Sequence, residues 1–326
     1  MMNVEATIKV GKAFNSHHLN SMLQFPASRI EEIFALAKRI EESPKTFANA
    51  LSGKIIALLF FQPSTRTRLG YDAAAKRLGA QTIGFSDVAE TRSAPAYGEK
   101  LSDVIQVVNE YSDAIVLRHF QRNAIERAAQ FSRAPVINAG NGAGEHPVQA
   151  LADIWLLHRL GYSFANLRIG FAGDPFTRVV RSMILGLLEM GTRTFHFVLP
   201  TVSGAGIPND VGQAISGYGG RIEIWASIGE VLPQLDVLHV MPFKIPDLEA
   251  PPASLGPNGI DTPAAFKLTR SMIERVNPDC VFMHPGPTSS EIAEDVNDSS
   301  QNLILQQVRA SLPMRMAVLL DCLTAK

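Results

Sequence analysis

The chain has 326 residues, 46% hydrophobic and 19% charged, with a net charge of −1. This is the balance of a globular protein with ample core and a length near two domains, and it gives no overall field to attract nucleic acid or an anionic membrane. The opening "MMNVEATIKVGKAF" has no apolar signal region and no later run reaches a membrane span. Cys280 and Cys322 stand apart with no ligand cluster beside them, so they read as ordinary cytoplasmic thiols rather than a disulfide or a metal site.

Apolar, β-branched runs alternate with helical patterns. Strands are expected at 54–61, 82–85, 114–117 and 135–138, and helices at 31–42, 67–78, 98–111 and 124–131. A helix from near His146 to Leu160 leads into a second series. Its strands are 167–173, 194–199, 221–226, 237–240 and 280–284, separated by stretches such as "VVRSMILGLLEMG". The Pro- and Gly-rich 250–259 reads as a surface loop, and 302–323 as a long helix in which Pro313 predicts a break or kink. Two strand–helix series imply an α/β fold of two doubly wound parallel-sheet domains. The expected division is 1–147 and 148–301, with 302–326 packing back on the first domain.

The stretch "KIIALLFFQPSTRTRLG" carries the first chemical signal. After an apolar strand come Ser64, Thr65, Arg66 and Thr67, placed where an open α/β sheet binds ligands. Ser64 can cap the next helix and Gly79 can end it. The first turn of a helix offers unpaired N–H groups and partial positive charge, to which the hydroxyls and the planar fork of Arg66 add donors suited to phosphate. From spacing alone, a good N-cap followed by a solvated basic turn fits equally well.

The wider pattern resembles a family. "STRTR", "GFSD" (84–87), "DAIVLRH" (113–119), "NAGNGAGEHPVQALAD" (138–153), "GDPFTRVVRS" (173–182), "HPGP" (284–287), "EIAEDVND" (291–298) and "LILQQVRASLPMRMAVLL" (303–320) follow the order found in aspartate and ornithine carbamoyltransferases, the aspartate branch being the closer. The resemblance implies transfer of a carbamoyl group from carbamoyl phosphate to an amine or amino acid, without metal or organic cofactor. It also implies an active site in the cleft between the two domains, at the interface of a homotrimer or a multiple of one, and a place in pyrimidine biosynthesis.

By the same resemblance Ser64, Thr65, Arg66 and Thr67 hold phosphate. Arg118 bridges phosphate and the carbonyl oxygen, Thr67 and His146 donate to that oxygen, and Gln149 fixes the carbamoyl amide. Pro285 and Gly286 face the amide and amine through their carbonyls, and Arg178 binds an acceptor carboxylate. The residues that would act in the chemistry itself are Arg66, Thr67, Arg118, His146 and Gln149.

Two departures stand out. The family has a lysine, contributed to the neighbouring subunit, where this chain has Tyr97; Lys100 or Arg92 is the available cation. An arginine that grips an acceptor carboxylate is replaced by Pro242, with Lys244 two residues on. The donor half therefore reads as intact and the acceptor half as rebuilt. The alternative is a non-catalytic homologue that assembles with or regulates an active partner. An unrelated anion-binding α/β protein fits the ordered motifs poorly, since "GNGAG" forms no dinucleotide fingerprint and the histidines lack metal-ligand spacing.

Overall fold

The computed structural model describes residues 18–93, 98–199, 206–242 and 262–324. The first series runs α1 (Ala27–Glu42), β1 (Ile55–Phe60), α2 (Thr65–Arg77), β2 (Gln81–Phe85), α3 (Leu101–Asn109), β3 (Ala114–His119), α4 (Ala124–Phe131), β4 (Val136–Asn141) and α5 (Pro147–Arg159). The second runs β5 (Ile169–Ala172), α6 (Arg178–Glu189), β6 (Thr194–Val198), α7 (Asn209–Gly217), β7 (Arg221–Trp225), α8 (Ile228–Val231), β8 (Val237–Val240), α9 (Arg270–Val276) and β9 (Val281–Met283), and α10 (Ile304–Thr324) closes the chain.

The strands form two sheets, ordered β2-β1-β3-β4 and β7-β6-β5-β8-β9, with every pairing parallel. The central strands are apolar because helices cover both faces: Ile56–Phe60 and Ala114–Leu117 are all buried. In each sheet the chain order reverses beside its first strand, between β1 and β3 and between β5 and β8. Crevices open there at the carboxyl ends. The first crevice lies beyond Phe60, paired with Arg118, and the second beyond Ala172, paired with Val240.

Two differences from the sequence reading have physical causes. β4 runs on to Asn141 through Gly140, whose φ of +111° few other residues adopt. Pro313 does not break its helix: α10 is continuous, because it packs on α1, α2 and α5 and is buried all round from Pro313 to Leu320. The loop 250–259 lies outside the described residues.

An ionic clasp joins the two halves. Asp210, at the start of α7, accepts from Arg181 Nε and Nη2 of α6 at 2.8 and 2.9 Å and from Arg122 Nη2, beyond β3, at 2.8 Å. Arg181 also donates to the carbonyls of Ala143 and Gly144, ahead of α5. Burial alone would raise the Asp210 carboxyl, but Arg181 and Arg122 outweigh it and hold it down at about 2. Since this lies below the ordinary value of 3.8, the contribution to stability is complete above about pH 4 and is lost as the pH falls towards 2. Asp210→Asn is expected to lower stability at pH 7 by about 1.5–3 kcal/mol. The loss should shrink between pH 4 and 2, and urea titrations across that range measure it.

Candidate active site

The first crevice is built from helix ends. Ser64 caps α2, its Oγ accepting from the Thr67 N–H at 3.4 Å. Thr67 is buried, whereas Thr65 and Arg66 reach the surface. The turn after β9 comes against Arg66: a Cβ placed on Gly286 would lie 2.7 Å from Arg66 Nε and from Nη1. With φ +71° and this close approach, position 286 accepts only glycine without displacing Arg66.

Arg118 and Arg178 meet over Gly140. A Cβ there would be 3.0 Å from Arg118 Nη1 and 3.0 Å from Arg178 Nε. The partners of both guanidiniums are neutral. Arg118 Nη1 donates to the Ala139 carbonyl at 3.2 Å, and its buried Nε has no partner among the described residues. Arg178 Nη1 donates to Gln62 Oε1 at 2.9 Å and to the Gly142 carbonyl at 3.2 Å. Burial, and then the neighbouring Arg178 charge, pushes Arg118 down to about 9; burial pushes Arg178 down to about 10. Both still carry charge at pH 7, in a setting that gives no carboxylate to either among the described residues.

His146 caps α5, whose first residue Pro147 needs no N–H partner. The His146 N–H donates to Ser182 Oγ at 2.9 Å, and Ser182 Oγ donates to Glu145 Oε2 at 3.1 Å. The ring is buried and its Nδ1 has no partner among the described residues. Burial first, then Arg118, Arg178 and Arg315, hold it well below the ordinary histidine range, so it is neutral at pH 7. One turn on, Gln149 Nε2 donates to Asp153 Oδ1 at 2.9 Å.

Most expected residues thus fall into connected groups: Ser64–Thr67 with Arg66 against Gly286, and Arg118 with Arg178, His146 and Gln149 on the neighbouring elements. Pro285 lies in the same turn as Gly286. Lys100 is exposed at the start of α3, with no hydrogen bond or ion pair to this group among the described residues. Lys244 and Tyr97 lie outside the described residues. Pro242 is described: its carbonyl accepts from the Asp174 N–H at 3.3 Å in the second crevice.

The sequence reading passed over Gln62, Gly140, Ser182, Asp153, Gln307 and the buried Arg315. Asp153 had a local signal, the i, i+4 spacing from Gln149 within "HPVQALAD". Gln62 had only its place two residues before Ser64. Among the described residues no cluster of histidine, cysteine, aspartate or glutamate could hold a metal, and no helix is long and apolar enough to cross a membrane.

Comparison with known proteins identifies the family. Residues 17–159 match the family "Aspartate/ornithine carbamoyltransferase, carbamoyl-P binding domain", and residues 165–322 match "Aspartate/ornithine carbamoyltransferase, Asp/Orn binding domain". The chain belongs to the aspartate/ornithine carbamoyltransferase family. Membership makes it a carbamoyltransferase. It is 35% identical over 306 residues to the aspartate carbamoyltransferase catalytic subunit of Halorubrum lacusprofundi, covering 93% of each chain. Among solved structures, the catalytic subunit of M. jannaschii aspartate transcarbamoylase superposes with a TM-score of 0.80 at 32% identity, over 94% of this chain and 97% of that one. The Trypanosoma cruzi aspartate transcarbamoylase in complex with N-(phosphonacetyl)-L-aspartic acid gives 0.82 at 28% identity, over 94% and 95%.

A neutral His146 has two measurable consequences. Its ring protons should not titrate between pH 7.5 and 5.5, as followed by NMR and assigned by their loss in His146→Asn; a midpoint near 6.5 would contradict the geometry. Because the folded value is depressed, the contribution of His146 to stability is complete above about pH 6.5 and declines below it, as the unfolded chain takes up the proton first.

Proposed function

We propose that the chain moves the carbamoyl group of carbamoyl phosphate onto the amine of an amino-acid acceptor. The observation that carries this reading is the pair Arg118 and Arg178, two half-buried guanidiniums side by side whose partners among the described residues are all neutral. Such charge is stable inside a protein when an anion completes it. It stands beside a capped helix N-terminus, a phosphate site by construction.

The roles follow from reach and chemistry. Ser64, Thr65, Thr67 and Arg66 hold the phosphate. Arg118 spans phosphate and carbonyl oxygen, and His146 and Thr67 donate to that oxygen as it becomes an oxyanion. Neutral His146 suits this task, since it carries a donor without adding a third buried cation. The acceptor nitrogen forms the new C–N bond, the C–O bond to phosphate breaks, and the amine proton leaves with the phosphate. Arg178 takes a carboxylate of the acceptor, and Lys244 offers charge for a second. Family membership supports the reaction, and the bound ligands named for the T. cruzi enzyme, carbamoyl phosphate and aspartate, support the substrate class.

We place the division of the halves at the start of α5, with 302–326 returning to the first. The loop 89–103 would complete a neighbour's site in a trimer, with Lys100 standing in for the lysine that Tyr97 replaces. The non-catalytic alternative draws on that replacement. At the acceptor, Pro242 brings no cation and its carbonyl is already engaged by Asp174. An acceptor with a single carboxylate therefore suits the pocket better than a dicarboxylate.

Two experiments test this. Arg66→Ala is expected to weaken binding of carbamoyl phosphate by on the order of 2–3 kcal/mol, the loss of a charge-assisted fork; calorimetry that finds unchanged affinity would sink the phosphate assignment. Steady-state phosphate release should show aspartate as a poor acceptor. A KM within the ordinary range of about 1 μM–1 mM with typical turnover would show that another residue replaces the missing arginine.

A further inference from the structure

Behind the Arg118–His146 group, two amides converge on one carboxylate. Asp153, fully buried on α5, has Gln149 Nε2 and Gln307 Nε2 each 2.9 Å from Oδ1. Chemistry fixes their orientation. Gln307 Oε1 lies 2.8 Å from the His284 N–H, which can only donate, so the NH2 end of Gln307 must face Asp153. The same oxygen receives the NH2 of Gln149, and no donor takes Gln149 Oε1 among the described residues. Around this carboxylate, His239 Nε2 of β8 stands 3.5 Å from Oδ2, and Arg315 of α10 feels its charge.

The turn that Gln307 holds is equally one-sided. The His284 N–H is spent on Gln307, and the Gly286 N–H on His284 Nδ1 at 2.8 Å. His284 Nε2 is 2.9 Å from Glu291 Oε1, which also accepts the Ser289 N–H at 2.7 Å. Pro285 and Pro287 have no N–H at all. From 284 to 287 the backbone has only carbonyl oxygens left to offer a ligand.

We infer that Asp153 is the positioning residue that sets donor specificity. It turns Gln149 so that its carbonyl meets the ligand, and through Gln307 it fixes a turn that presents acceptors alone. A wall made only of acceptors is satisfied by an acyl phosphate bearing NH2. One bearing CH3 leaves those acceptors unpaired, the situation in which sites discriminate most steeply. The inference rests on the carbamoyl phosphate reading and adds the source of its selectivity.

Phosphonoacetamide and acetonylphosphonate differ only as NH2 and CH3, so the ratio of their affinities isolates the wall, and inorganic phosphate reports the anion site. Calorimetry on the full chain should show phosphonoacetamide favoured by roughly 100-fold or more. In Asp153→Leu the ratio should drop at least tenfold, with phosphate affinity within about twofold of the parent. An unchanged ratio, or a parallel loss of phosphate affinity, would overturn the inference in favour of a purely structural role. A parent protein that binds phosphate but does not prefer the amide overturns it too, while one that binds neither phosphonate overturns the carbamoyl phosphate reading itself.

Gln149→Glu gives a second test, one that keeps Asp153. At pH 8.5 the introduced carboxylate opposes Asp153 and the ratio should fall at least tenfold. Towards pH 6 the two carboxyls share a proton, an O–H again faces Asp153 with a C=O towards the ligand, and the ratio should recover. The probes titrate alike, so their own protonation cancels in the ratio. A ratio that does not change with pH in this variant would refute the role assigned to Asp153.

Discussion

Burying a guanidinium without a carboxylate is the constraint on which the rest of this molecule depends. Arg118 ends β3 and Arg178 opens α6, so each is carried to the carboxyl edge of a different sheet. They meet because Gly140 lacks the side chain that would separate them. Desolvation of each, together with their mutual repulsion, opposes folding. The backbone carbonyls of Ala139 and Gly142 and the amide of Gln62 offset part of that with dipoles. On the proposed reading, what remains uncompensated among the described residues is affinity stored for an anion.

The nearby acids are arranged so as not to neutralise this charge. Glu145 sits beside His146 in sequence, but its carboxylate is turned to Ser21, the Met22 N–H and Ser182. Burial raises its pKa despite those bonds. Asp153 is given over to amides, and Asp210 to Arg181 and Arg122. Each carboxylate has a structural role with partners already in place, and none of these bonds reaches Arg118 or Arg178. The proposed phosphate site needs this segregation, because a carboxylate in the crevice would compete with the ligand for the same donors.

What could be read in the sequence follows the same divide. The strand–helix alternation is a local pattern, and β8 and α4 fall on the expected 237–240 and 124–131. Ser64 and His146 announced themselves as helix caps, features decided by a few neighbouring residues. The Arg178–Gln62 bond spans 116 positions and the Gln307–Asp153 bond 154. No local rule reaches that far, so the partners that orient the expected residues were invisible although the residues themselves were not. Pro313 misled for the opposite reason: its local preference for a break is outweighed by the apolar surface that α10 buries.

The last helix ties elements at the two crevices to one another. α10 carries Gln307 near its start, holding the turn after β9 through the His284 N–H, and Arg315 two turns on, beneath α2. A Cβ on Gly70 would lie 3.1 Å from Arg315 Nε, so α2 and α10 are as close as a missing side chain permits, and the Arg315 guanidinium lies 5.6 Å from the centre of the Tyr71 ring. Helix α2 and the turn after β9 are therefore both referred to a single rigid element. Since Asp153 is bonded to Gln307 on that same helix, Gln149 and the turn after β9 cannot shift apart without breaking a buried bond. Such a bond leaves two polar groups unsatisfied when it breaks, about 1–3 kcal/mol each. That is enough to hold the geometry against thermal motion, and it puts the precision of this turn in a helix anchored on α1, α2 and α5.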